Sequence, residues 1–303
     1  MTIEPEQRKR LLQLASRASV ATAAFLLVMK LLAYWLTGSV SIMASLLDSL
    51  LDVVASIINL LAIRIALMPA DKEHPFGHGK AEALAGLGQA TFIAGSAVFL
   101  IIQAISRLQH PEEIVALDIG VVVMLISIVA TGFLIAFQRH VIRQTNSVAI
   151  RADSMHYLTD LLTNSMIIVA LIFVWWGWDW MDGAMAILMG FYILYSAWQI
   201  IWESIHLLLD RELSEEIQQT VRETVLADKD VDAIHELKTR ESGHTQFIQL
   251  HIEMDGNMSL YEAHTISDRV METLQNKFPA ADILIHQDPY NDAPDQENRI
   301  VEA

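Results

Sequence analysis

Two pairs of ionisable residues stand four apart in otherwise apolar sequence. Asp48 and Asp52 lie in Ser45-Leu46-Leu47-Asp48-Ser49-Leu50-Leu51-Asp52, and His156 and Asp160 close the run that starts at Arg151. In a helix, that spacing puts both members of a pair on one face. The two faces together offer three carboxylates and one imidazole. Zinc accepts such a set tetrahedrally, at about 2.0–2.2 Å per ligand. Neighbouring carboxylates repel unless a cation or a proton intervenes, and an ionisable group inside a bilayer costs roughly 2.5–3.5 kcal/mol on insertion scales. The plainer reading of either pair is a helix-end charge or a polar contact between helices. It sits more easily on His156/Asp160, near a helix start, than on Asp48/Asp52, well inside an apolar stretch. Lys30, the single basic residue deep in a span, is expected to snorkel toward the interface.

Two further groups carry metal-binding residue types. Asp71, His74 and His78 lie in a loop, where Asp-x2-His-x3-His suits zinc but a flexible loop can place His anywhere. Five of the 11 His follow residue 208. Of these, His235, His251, His264 and His286, with Asp288, fall on or beside expected elements, and imidazoles clustered in an acidic domain suit divalent metal. His110, His140, His206 and His244 read as interfacial or surface residues. With no Cys, disulfides, thiolate metal sites, iron–sulfur clusters and Cys nucleophiles are excluded.

Composition sorts the elements that must hold these groups. Of 303 residues, 53% are hydrophobic and 18% charged, with mean hydropathy +0.37, against about 25% charge in an ordinary soluble domain. The net charge of −16 argues against a nucleic-acid partner. It is unevenly placed: residues 208–303 carry −13 of it. Charge-free runs between Glu82 and Arg107, Asp118 and Arg139, Asp160 and Asp179, and Asp182 and Glu203 are long enough to span a bilayer. Two earlier stretches, about 18–36 and 40–67, are as apolar but hold Lys30, Asp48, Asp52 and Arg64. Six spans follow, with both termini on one side. Arg8, Lys9, Arg10, Arg17, Arg64, Lys72, Lys80, Arg139, Arg143 and Arg151 crowd that side, which the positive-inside rule makes cytoplasmic. Trp175, Trp176, Trp178 and Trp180 would mark the far interface. No cleavable signal peptide is apparent.

The expected divisions are a six-helix transmembrane domain over 1–209, a cytoplasmic domain over 210–290 and a disordered tail over 291–303. Within the second, 213–227 and 260–277 read as helices, and 232–240, 246–254 and 281–287 as strands, with a hairpin at Ser242-Gly243. That α-β-β-α-β order suits a ferredoxin-like α+β fold.

Asp48-x3-Asp52 on the second span, His156-x3-Asp160 on the fifth, six spans and a ferredoxin-like tail together resemble the cation diffusion facilitator family. The loop from Pro69 to Lys80 and the segment Ile285-His286-Gln287-Asp288-Pro289 are similar to its bacterial zinc and ferrous-iron efflux branch. The resemblance covers residues 10–290. It implies a homodimeric transporter, not an enzyme, in a bacterial inner membrane, exporting metal in exchange for protons. It assigns Asp48, Asp52, His156 and Asp160 to a transport site, and Asp71, His74 and His78 to a loop site. A binuclear tail site would use His235, His251, His286 and Asp288, with His264 and Gln287 nearby. Lys80 and Asp210 match a salt bridge at the membrane surface. Met155 stands where many relatives carry a gating Leu, and a flexible thioether gates less tightly.

Metal needs neutral imidazole and ionised carboxylates, so metal and protons compete for the four ligands. The carboxylate-rich shell admits zinc first, and also ferrous iron, cadmium and manganese. The rivals are a metal sensor, a passive channel and an intramembrane metalloenzyme. The last lacks a His-Glu-x-x-His motif and a Glu between His74 and His78 to serve as base.

Overall fold

The computed structural model describes residues 5–38, 40–109, 118–175 and 180–290. They fall into two compact units that divide between Leu209 and Asp210.

The first unit is a bundle of six helices: α1 (Pro5–Thr37), α2 (Val40–Ala66), α3 (Lys80–Gln109), α4 (Asp118–Thr145), α5 (Val148–Trp175) and α6 (Trp180–Leu208). At 1.5 Å per residue each runs about 40–50 Å, more than the roughly 30 Å of a bilayer's hydrocarbon core. Among the described residues, all but α5 are also apolar enough to cross. α5 carries Arg151, Asp153 and Asp160 and packs against α3, α4 and α6. Phe25, Leu32, Trp35, Phe99, Phe133 and Leu188 turn outward, each more than half exposed. Polar side chains such as Ser19, Asn59, Gln138 and Asp153 are buried inside. That inversion suits lipid as the surrounding solvent. The fold is the membrane helical bundle with a C-terminal α+β domain that the sequence implies.

Small residues set the closest helix pair. A Cβ on Gly190 would stand 2.4 Å from the Ile101 side chain, and one on Gly183 2.5 Å from that of Leu108. Glycine at both positions lets α6 lie against α3. Polar ties gather one end of the bundle. Arg8 of α1 meets Glu82 of α3 at 3.7 Å and donates to the Thr145 carbonyl of α4 at 3.3 Å. Arg151 of α5 pairs with Glu203 of α6, and Lys80 Nζ donates to the Leu208 carbonyl at 3.2 Å. The α1–α2 turn opens at the other end, at Gly38 with φ +62°. Ser39, His110, Trp176, Trp178, the side chains of Trp175 and Trp180, and the tail from residue 291 lie outside the described residues.

The second unit has α7 (Glu215–Leu226), β1 (Ala233–Ser242), β2 (Thr245–Asp255), α8 (Leu260–Lys277) and β3 (Ala281–Tyr290). The sheet order is β1-β2-β3, antiparallel then parallel. Gly243, at φ +66°, opens the two-residue hairpin between Ser242 and Thr245. Ile248, Leu250, Ile252 and Met254 of β2 pack with Val221 and Val225 of α7 and Val270 and Leu274 of α8 in one core. Ser259 and Glu262 form a reciprocal capping box at the start of α8. Ser214 stands at the N-cap of α7, but among the described residues its side chain makes no cap bond. β3 continues past Gln287 through Pro289 to Tyr290, which an edge strand tolerates.

Candidate metal sites

The two helical pairs meet where α2 faces α5. His156 Nε2 stands 3.0 Å from Asp52 Oδ1 and 3.9 Å from Asp160 Oδ2. Ligand atoms of Asp52, His156 and Asp160 all lie within 4.8 Å of one another. One ring nitrogen therefore confronts carboxylates from two helices. Asp52 and His156 are each 8% exposed. Asp48 lines the same cavity one turn along α2 but stands outside that tight group.

The cavity measures about 640 Å³. Lys30, Ser45, Gln103, Ser127 and Asn164 line it, and each belongs to the half of its helix nearer the α1–α2 turn. The cavity thus runs from His156 away from the end tied by Arg8, Lys80 and Arg151. Apolar packing fills the other side: Met155, 8% exposed, sits with Ala90, Ile93, Val148, Ala152 and Ile193.

Lys30 does not snorkel. It is 8% exposed, and its ammonium donates to Ser49 Oγ at 2.6 Å and to the Ser45 carbonyl at 3.2 Å, both on α2. The neighbouring helix supplies polar partners closer than any interface, and helix pairing is what sequence alone does not show.

Asp153, which no sequence motif singles out, is fully buried one turn before His156. It accepts from Ser19 Oγ of α1 at 2.5 Å, Gln138 Nε2 of α4 at 2.7 Å and Gln89 Nε2 of α3 at 3.2 Å. Tyr157 donates to the Ser19 carbonyl at 3.1 Å, and its hydroxyl lies 2.7 Å from Ser56 Oγ of α2. Ser56 is one turn beyond Asp52, so α2 and α5 are joined at two successive levels. A second carboxylate three residues before His156 is the one signal in the sequence. Near a helix start it reads as one more interfacial charge.

The loop residues close on themselves rather than waving free. Asp71 Oδ1 accepts the backbone N–H groups of Glu73 at 2.9 Å and His74 at 2.7 Å. The His74 backbone bond above all holds the Asp71 carboxyl below its ordinary value. His74 Nδ1 lies 3.3 Å from Asp71 Oδ1 and His78 Nε2 3.4 Å from Oδ2. Their ligand atoms also share a 4.8 Å circle. His78 Nδ1 is buried and, among the described residues, has no hydrogen-bond partner.

Strand register builds the third group. His235, His251 and His286 are direct partners across β1, β2 and β3, a single row of imidazoles. Ring centroids are 5.0 Å apart for His235–His251 and 4.5 Å for His251–His286. Asp288, two residues past His286, shares its face. Its Oδ2 stands 2.8 Å from His251 Nδ1 and 3.2 Å from His235 Nε2, and its Oδ1 3.3 Å from His286 Nε2. A carboxylate that offers one oxygen to each side can bridge two ions. Glu253, 2% exposed, also faces His235 Nε2 at 3.4 Å. The apolar character of β2 hides it, though it follows His251 by the strand period of two. Gln287 points to the opposite face of β3. His264 pairs with Asp268 on α8 at 3.5 Å. Neither belongs to the tight group of His235, His251 and Asp288.

Lys80 bonds the end of α6 through the Leu208 carbonyl. Asp210, at φ +55°, accepts from Arg240 of β1 at 3.3 Å.

Comparison with known proteins matches the same two units. The model for the cation efflux transmembrane domain matches residues 16–209, and that for the cation efflux protein cytoplasmic domain matches 213–290. The cation-efflux pump FieF of Klebsiella pneumoniae subsp. pneumoniae is 48% identical over 285 residues, 94% of this chain and 95% of that one. FieF of Pectobacterium atrosepticum is 47% identical over 288 residues, covering 95% and 96%. A metal-bound C-terminal domain of the CzcD transporter from Thermotoga maritima is 23% identical, covers 25% of this chain and 94% of its own, and gives a TM-score of 0.23. The chain belongs to the cation efflux family, the cation diffusion facilitators: a multi-pass membrane transporter rather than an enzyme.

Proposed function

We propose that this protein exports divalent metal ions from the cytoplasm, zinc foremost and ferrous iron or cadmium as well, and takes up protons in return. Asp48, Asp52, His156 and Asp160 are the transport ligands. The observation that carries this is the convergence of Asp52 and Asp160 on one nitrogen of His156, between two helices, at the closed end of a cavity. In this reading metal is cargo. It would draw Asp48 in to complete the set. Both termini face the cytoplasm of a bacterial inner membrane, so the cavity opens outward and the packing around Met155 is the inner gate. Protons from outside displace the ion by taking the same lone pairs, and the protonated site returns inward.

The other two groups serve the assembly. Asp71, His74 and His78 hold a metal in the loop. His235, His251, His286 and Asp288 hold one or two in the cytoplasmic domain, where metal offsets repulsion between the acidic domains of a homodimer. His264, Gln287 and a Lys80–Asp210 salt bridge are assigned to the same assembly on the resemblance alone.

Reconstitution in proteoliposomes tests the function. Zinc uptake should rise severalfold with an opposing pH gradient, and Asp52→Ala should abolish it with folding intact. Uptake indifferent to pH would make the protein a channel, and uptake that survives Asp52→Ala would remove the site.

A further inference from the structure

Lys30 is an ammonium held inside the bundle where an apolar side chain would cost less. It is buried, it lies on α1 at the wall of the metal cavity, and its hydrogen bonds go to Ser49 Oγ and the Ser45 carbonyl rather than to a carboxylate. An ammonium has three donors; among the described residues two of them bond to α2, and the side chain also lines the cavity. Ser45, Ser49, Asp48 and Asp52 belong to the same stretch of α2. The charge is therefore tethered to the very segment that presents the carboxylates. It stands on the side of the cavity away from Met155, the side through which cargo would leave.

We propose that Lys30 is a tethered counter-cation that sets metal affinity from the exit side. It rests on the transport reading of the cavity. With metal absent, its positive charge offsets the excess negative charge of the three carboxylates, two of which His156 faces. With metal present, the same charge repels a divalent ion, and it opposes re-entry of an ion already released. A snorkelling lysine would do neither, because water at the interface would screen it. The role needs a charge on a side chain of this length, held by Ser49.

Zinc transport by the full chain in proteoliposomes distinguishes the outcomes. Wild-type protein and Asp52→Ala first establish that the cavity is the transport site. If Asp52→Ala transports normally, the site itself has failed, independently of Lys30. With the site established, Lys30→Gln removes the charge and keeps a donor for Ser49. Zinc added on the exit side should then inhibit uptake at a concentration at least about tenfold lower, as expected for loss of one buried charge near a divalent ion, and turnover should fall. Lys30→Arg, which keeps the charge, should inhibit within about twofold of wild type. Unchanged or weaker exit-side inhibition in Lys30→Gln would overturn the proposal. So would an equal shift in Lys30→Gln and Lys30→Arg, which would mark a purely structural role.

Discussion

At the residue scale, side chains outside the proposed ligand set matter as much as those within it. Asp153 gathers donors from α1, α3 and α4 beneath His156, so it fixes the height and rotation of α5 within the bundle. Asp153→Ala takes the acceptor from three donors at once. Thermal unfolding in detergent should show a loss on the order of 3 kcal/mol, and Asp153→Asn, which keeps one acceptor oxygen, should lose less. A variant as stable as wild type would contradict the network. The proposed transport ligands are legible in the sequence as two pairs of ionisable residues four apart in apolar runs, although a helix-end charge or a polar contact between helices would give the same pattern. Lys30 and Asp153 are not. Whether a buried charge faces lipid, a neighbouring helix or a cavity depends on which helices pack together, and hydropathy does not encode that. Glu253 escapes for a related reason: its strand reads as core, and only the pairing with β1, which sets it opposite Ala233, brings its carboxylate diagonally to His235.

Helices and strands are read from sequence more securely than their ends. Four of the six long helices follow from charge-free length and the first two from apolar stretches that carry charges, and α8 is read over 260–277 while its Ser259–Glu262 cap is seen only in the structure. Removing that cap with Ser259→Ala should cost the C-terminal domain about 1 kcal/mol in chemical unfolding. Arg269 of α8 forks onto Asp228 at 2.6 and 2.7 Å and reaches Asp230 at 2.7 Å, which fastens α8 to the turn after α7. The Arg269 guanidinium beside Asp228 holds that carboxyl below its ordinary value. A lowered carboxyl contributes stability above its unfolded value, about 3.9, and loses it as pH falls through the folded one. Arg269→Met should therefore weaken the domain at neutral pH and narrow the gap to wild type as the solution is acidified below about pH 4. A gap that widens on acidification would reverse the assignment. The loop over Asp71–His78 reads in sequence as loose. Backbone donors to Asp71 make it a closed turn, a property of side-chain-to-backbone bonding that composition leaves invisible.

For the whole molecule, charge asymmetry is the organising fact. The apolar bundle is nearly neutral, and the acidic tail carries most of the −16. If metal at the row of His235, His251 and His286 offsets repulsion between two such tails, sedimentation should show a zinc-strengthened dimer. Joint replacement His251→Ala and Asp288→Ala should remove the zinc response, and dimerisation unchanged in a zinc titration would count against it. The most direct test of the central claim is calorimetric titration of zinc into the full chain carrying Asp71→Ala and Asp288→Ala, in buffers of different ionisation enthalpy. One zinc per chain should bind with net release of protons, and that binding should vanish when Asp52→Ala is added. Zinc bound without proton release, or bound equally well after Asp52→Ala, would contradict a site that metal and protons share.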